Sequence, residues 1–422
     1  MRKFLAVGAV AAAAALTLSA CGSSATTGGT SAAPASASAK ASMSGKLTVW
    51  IDANRQPVLK TVAENFTKDT GVQVELVVKD FGTIRDDAIT QIPTGKGPDL
   101  IIGAHDWTGK LVQNGVVAPV ELGDAAKQFQ PVAVKAMTYG GKIYGVPFSI
   151  ENIALVRNTD LAPTAPATWA DLVTAGKAAM AKDAAKVKYP VLVGLDPKSA
   201  DPYHLYPLQA SYGAPVFNLK DDGSYDGATV TMGNDGGKQF ATDLAKWGKD
   251  GVLNMNITGD IAKAQFTAGA SPYFLTGPWN LADIKKAGVK YAIDPIPSAG
   301  GKPATPFVGV QGFFVSAKSE NKLAANTFVL TYIGSEKVQT DLYKTGNRAP
   351  ANIAAFAAAQ SDADVAAFGK VGAAGVPMPN VPAMDQVWSD WGTTEAALIG
   401  QKEADPAAAW TKMVATIQGK IK

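Results

Sequence analysis

From residue 46 onward, the hydrophobic and polar positions fall into two alternating periods. Lys46-Leu47-Thr48-Val49-Trp50-Ile51 reads as a strand, followed by the polar loop Asp52-Ala53-Asn54-Arg55. Val58, Leu59, Val62 and Phe66 then recur at helical spacing, and Asp69-Thr70-Gly71 stops that helix. Val72, Val74, Leu76 and Val78 alternate as a second strand, and Ile84, Ala88 and Ile92 mark a second helix. The turn signal Gly97-Pro98-Asp99 opens a third strand, Leu100 to Ile102, whose lack of alternation suits burial on both faces. This β-α-β-α-β order predicts a mostly parallel α/β sheet. Ligands bind beyond the carboxyl ends of such strands, which places Asn54/Arg55 and Asp106/Trp107 on one edge.

Further along, Gly140-Gly141 leads into an extended run through Val156 that carries one acid, Glu151. A carboxylate is costly to bury alone, so Glu151 faces either a cleft or an ion-pair partner. Thr168 with Asp171 three residues on reads as a helix cap. Asp201-Pro202-Tyr203-His204 is an aromatic, acid-bearing loop entering a helix. Tyr273-Phe274-Leu275-Thr276-Gly277-Pro278-Trp279 puts Trp279 just past a strand, as with Asp106 and Trp107. Phe307 to Val315 is extended, and Trp388 and Trp391 share one helical face, where one of them is expected in the core.

Two readings stand for Asp106 and Trp107. A carboxylate beside an indole suits a sugar, the acid accepting from hydroxyls while the ring covers the C–H face. Equally, Asp106 caps a helix and Trp107 fills a local core. Asp106, Glu151 and Asp201 also leave open a hydrolytic acid pair.

Composition narrows the picture. The 422 residues suffice for two or more domains, and 47% are apolar. Arg2 and Lys3 account for two of the three net positive charges, so no basic surface is left for nucleic acid. Neither histidine, His105 or His204, belongs to a ligand cluster, and no phosphate-loop, dinucleotide-binding or nucleophile-elbow motif occurs, so no metal or cofactor is expected.

Residues 1–20 form a signal segment: Arg2 and Lys3, an Ala-rich apolar run to Leu18, then Leu18-Ser19-Ala20-Cys21. That tetrapeptide resembles the bacterial lipobox, which implies acylation of Cys21, the only cysteine. Residues 21–45, Ser/Ala/Gly/Thr-rich with Lys40 as their one charge, read as a flexible tether with a reach of roughly 25–30 Å.

From Lys46 onward the chain resembles the maltose/maltodextrin-binding proteins, extracellular receptors of sugar ABC importers. The resemblance rests on Ala104-His105-Asp106, Gly277-Pro278-Trp279, Pro306-Phe307-Val308-Gly309-Val310 and Met378-Pro379-Asn380-Val381-Pro382, with more general marks such as Asn158-Thr159-Asp160-Leu161. It implies a two-lobed periplasmic-binding-protein fold of type II with a hinge crossed three times. The lobes are expected at 46–150 with 312–360, and at 151–311 with 361–422. Carried over by position, Asp106, Glu151 and Asp201 would accept sugar hydroxyls, while Tyr203, Trp279 and Trp388 would stack. Asn54 and Arg55 stand where the best-known members carry an acid and a lysine. Gly103 stands at a family Trp, Trp107 at an Arg, and Ser389 and Gly392 at a Tyr and an Arg, so individual hydroxyl contacts differ. The implied protein is a monomeric, non-catalytic receptor. It takes malto-oligosaccharide, or another neutral sugar such as trehalose, and delivers it to an ABC permease from the outer face of the membrane. A secreted glycosidase is the competing class.

Overall fold

The computed structural model describes Met43 and residues 45–421 except Asp222. The signal segment, Cys21 and nearly all of the tether lie outside these residues. Among the described residues, no helix is long and apolar enough to cross a membrane.

The strands that position the site are β1 (Lys46–Ile51), β2 (Gln73–Val78), β3 (Leu100–Ala104), β4 (Gly145–Asn152), β5 (Ala154–Asn158), β6 (Leu192–Val193), β7 (Tyr273–Thr276), β8 (Tyr291–Asp294), β9 (Phe307–Ser316) and β10 (Ala349–Pro350). The helices that flank the site are α1 (Gln56–Thr70), α2 (Phe81–Gln91), α3 (Thr108–Gln113), α4 (Pro202–Ser211), α5 (Asp235–Lys249) and α6 (Ala383–Ile399).

Helix α1 shows how the pattern becomes structure. Pro57 sits in its first turn, Leu59, Val62, Ala63 and Phe66 form its buried stripe, and Gly71 ends it at φ 79°, donating its N–H to Thr67 O at 2.8 Å. Burying Phe66 completely contributes about 2–3 kcal/mol. At Thr168 the cap is reciprocal: its hydroxyl accepts the Asp171 N–H while Asp171 accepts from the Thr168 N–H.

The elements build two lobes, each around one sheet. The larger sheet has eight strands, with the path β10-β4-β9-β3-β1-β2 and two short strands also pairing with β9. The smaller has the order β8-β5-β7-β6. The chain passes between them at Ile153, between Asp294 and Phe307, and a third time after Ala359, where Phe368 and Val371 join the smaller sheet's core. The divisions expected at 150/151 and 311/312 fall inside β4 and β9. The sheets are mixed rather than mostly parallel. β1 is parallel to β2 and β3, but β9 runs antiparallel to β3 and β4, and β5 antiparallel to β7 and β8. The reason is the hinge: β4 carries the chain out of the large lobe and β9 carries it back, so these neighbours point in opposite directions.

Candidate functional site

A cleft in two adjoining parts lies beyond the carboxyl ends of β1 and β3, closed on its far side by elements of the smaller lobe. One part, ≈ 560 Å³, is lined by Asn54, Arg55, Glu151 and Trp279 among others. The other, ≈ 470 Å³, is lined by Asp106, Trp107, Glu151, Asp201, Tyr203 and Trp388 among others. Phe81, Glu151 and Gln311 border both. All nine residues singled out in the sequence therefore line this one cleft, although the individual groups do different things in it.

The loop after β1 is locked by its own acid. Asp52 accepts the Asn54 N–H at 2.9 Å and pairs with the Arg55 guanidinium. Arg55 is buried between Phe81 and Phe148, 5.5 and 5.4 Å from their ring centroids. Burial lowers its pKa to about 10, with the nearby Arg348 charge acting the same way and Asp52 opposing, so it remains a cation at neutral pH.

Glu151 sits on β4 opposite Gly309 of β9. Its Oε1 accepts from Gln311 Nε2 at 2.8 Å, and its Oε2 pairs with Arg348 Nε. Burial pushes Glu151 toward neutrality, but Arg348 and Arg55 outweigh it and hold the pKa below the usual value. Arg348 also lies 5.4 Å over the Trp279 ring, a cation–π contact between the lobes.

Asp201 caps α4, accepting the His204 N–H at 3.1 Å, and its second oxygen lies 2.7 Å from His204 Nδ1. Asp106 differs: it is buried, and its Oδ1 meets no donor among the described residues. Burial raises its pKa to about 7, against the pull of the Arg85 charge, its own backbone N–H and the Trp388 side chain. The Tyr203 hydroxyl is likewise without a partner among the described residues, and burial raises its pKa well above the ordinary value.

The aromatic groups are seated from behind. Trp388 lies 5.5 Å from Trp391 at an interplanar angle of 17°, and Trp391 is the fully buried member of the pair. Trp107 packs on Phe81 at 4.9 Å and lies across Gly103, where an added Cβ would come within 2.5 Å of its ring. Trp107 is thus mostly buried, one edge reaching the cleft, and it occupies the space a side chain at 103 would need. Gly392 is similarly confined, its Cβ position 2.3 Å from the Ser199 carbonyl oxygen.

A family model described as bacterial extracellular solute-binding protein matches residues 61–369. The chain belongs to this family. This solute-binding protein is 31% identical over 393 residues to a "Maltooligosaccharide ABC transporter solute-binding lipoprotein" of Streptococcus pneumoniae, covering 89% of this chain and 90% of that one. It is 27% identical over 403 residues to a "Galactooligosaccharide-binding protein" of Bacillus subtilis, covering 92% of each. Its structure resembles "Thermus thermophilus maltotriose binding protein bound with maltotriose" with a TM-score of 0.79 at 30% identity, covering 89% of this chain and all of that one.

Membership makes the chain an extracellular receptor rather than an enzyme. Glu151 is ion-paired and ionised, and Asp201 is spent on its cap and on His204, so neither is a general acid awaiting a substrate. Among the described residues no group of three His, Cys, Asp or Glu side chains could hold a metal ion. His105 serves structure instead. Its Nδ1 accepts the Val310 N–H at 3.0 Å, which puts the proton on Nε2, 2.8 Å from Met378 O, and burial lowers its pKa to about 4.

Sequence reading missed Phe81, Arg85, Gln311 and Arg348. Phe81 follows β2, whose carboxyl end shares the edge with β1 and β3, so the same topological rule points to it. Gln311 is a polar residue inside an apolar run, the signal that flagged Glu151. Arg348 carries no local signal.

Proposed function

We propose that this receptor captures maltose or malto-oligosaccharides in the interlobe cleft and delivers them to an ABC permease, as a monomer held at the outer face of the cytoplasmic membrane by lipid on Cys21. One observation carries the sugar reading. Buried polar atoms of both kinds, Arg55 Nε and Nη2 as donors and Asp106 Oδ1 and Gln311 Oε1 as acceptors, with the Tyr203 hydroxyl able to serve as either, lack partners among the described residues. They line the same cleft as Trp107, Trp279 and Trp388. Buried polar groups are rarely left unpaired, and a ligand with a hydroxyl on nearly every carbon and apolar C–H faces satisfies both sets at once. In this reading Asp106, Arg55, Asn54 and Tyr203 bind hydroxyls directly. Trp279 and Trp388 stack, and Trp107 supplies an apolar edge. Glu151 and Asp201 orient Arg348 and His204 as well as facing the ligand. The malto-series itself is supported by the names of the pneumococcal and Thermus relatives.

The galacto-oligosaccharide relative supports a second reading, a receptor for another neutral oligosaccharide. Calorimetric titration with maltose, maltotriose, a longer maltodextrin, trehalose and a galacto-oligosaccharide separates them. Micromolar binding, about −8 kcal/mol, confined to the malto-series upholds the first reading. Equally tight binding to another sugar alone moves the substrate, and no binding to any of the five overturns both.

A further inference from the structure

We propose that Arg85 is a positioning residue whose fixed charge favours the ionised, hydrogen-bond-accepting form of the Asp106 carboxylate within the cleft. The effect on sugar affinity rests on the sugar reading above, whereas the effect on Asp106 does not.

Arg85 projects from α2 into the part of the cleft that Asp106 borders. Its guanidinium is gripped on two sides. Nε meets Asp86 Oδ1 at 2.9 Å, and Nη1 lies 3.0 Å from Asp385 Oδ1 on α6. Asp385, only 9% exposed at its side chain, also pairs with Lys110 of α3. Helices α2 and α3 flank β3, while α6 packs against α5 and the C-terminal helix Pro406–Lys420. The Arg85–Asp385–Lys110 cluster therefore ties α2, α3 and α6 together beside the cleft and leaves Arg85 little freedom to turn away.

Asp106 needs such a neighbour. It is buried, its Oδ1 has no donor, and most charged groups facing it are of its own sign. Asp385 approaches from α6, Glu151 of β4 and Asp201 at the start of α4 border the same cavity, and the Tyr203 hydroxyl adds a neutral dipole. Arg85 is the cation whose field opposes them. A protonated Asp106 would present one O–H donor in place of a full acceptor, so the cleft would read a different ligand hydroxyl pattern. Arg85 reaches none of this through a bond to Asp106. It acts through charge across the cavity wall, so it positions rather than binds.

The test compares the wild type with Arg85→Gln and Arg85→Lys. Carboxyl carbon NMR of the ligand-free protein follows the Asp106 titration, assigned by its loss in Asp106→Asn, and maltotriose affinity is measured from pH 5.5 to 9. In R85Q the Asp106 midpoint is expected to rise by about one unit or more, while R85K stays close to the wild type. Maltotriose affinity in R85Q then falls about tenfold near pH 6.5 and returns toward the wild-type value by pH 9, one unit of midpoint being tenfold in the charged fraction. An unmoved midpoint in R85Q overturns the proposal. So does an affinity loss of equal size at every pH, which marks a purely structural role. A shifted midpoint in a protein that binds none of the sugars upholds the role of Arg85 and sinks the sugar reading alone. Should R85Q not fold, an R85K protein whose midpoint departs from the wild type by a full unit overturns the proposal as well.

Discussion

Replacing Asp106 with Asn is expected to stabilise the ligand-free protein, by an amount that grows with pH. The Asp106 carboxyl titrates near 7 in the folded protein against an ordinary value of 3.8. A carboxyl whose folded pKa is raised binds more protons in the native than in the unfolded state between those two values. Stability therefore falls as pH rises from about 4 to 7 and is level above. Three units at about 1.4 kcal/mol each make the full cost roughly 4 kcal/mol at pH 8, of which under 2 kcal/mol is already present at pH 5. Asparagine carries no charge and fills the same volume, so the advantage of the variant should widen by about 2–3 kcal/mol between pH 5 and pH 8. His105 works in the opposite direction in both proteins: its folded pKa of about 4 against 6.5 adds stability as pH rises through that window, and it cancels in the comparison. Urea denaturation of both proteins at the two pH values measures the difference. Parallel pH dependences would refute the reasoning and show that Asp106 is already solvated or paired. The same variant is expected to lose sugar affinity, since an amide N–H2 replaces an acceptor oxygen.

Trp279→Ala should weaken sugar binding by about 1–3 kcal/mol through lost aromatic burial, read by calorimetry; an unchanged dissociation constant would make Trp279 a packing residue. Gly103→Ala places a Cβ 2.5 Å from Trp107 Cε3 and 3.1 Å from Phe314 Cε2. It should cost about 1–3 kcal/mol in urea denaturation and shift tryptophan emission, and a silent substitution would show that Trp107 is free to move. Cys21→Ser should release the protein into the culture medium, and retention on cells would refute lipid anchoring.

Much of the receptor is decided by short-range chemistry. The period of Leu59, Val62 and Phe66, the stop at Gly71, the Thr168–Asp171 cap and the apolar run of β3 each depend on neighbours a few residues away, and each produces its element. The order of those elements then brings the loops after β1 and β3, with Asn54 and Asp106, to one sheet edge, whereas Trp388, on a distant helix, was placed with them only by the family resemblance.

What the tertiary structure alone decided is the state of each group. Glu151 is held ionised by its ion pair with Arg348 and accepts a hydrogen bond from Gln311, partners 197 and 160 residues away. Trp107 lies over Gly103 because that residue has no side chain. The central strands run antiparallel because the chain returns through the hinge. Asp106 alone of the three site acids keeps a buried oxygen without a donor. Side-chain spacing reports which residues share a face, but a carboxylate's charge depends on burial and on cations placed by distant chain. Those follow from how the two lobes pack, which no local pattern encodes.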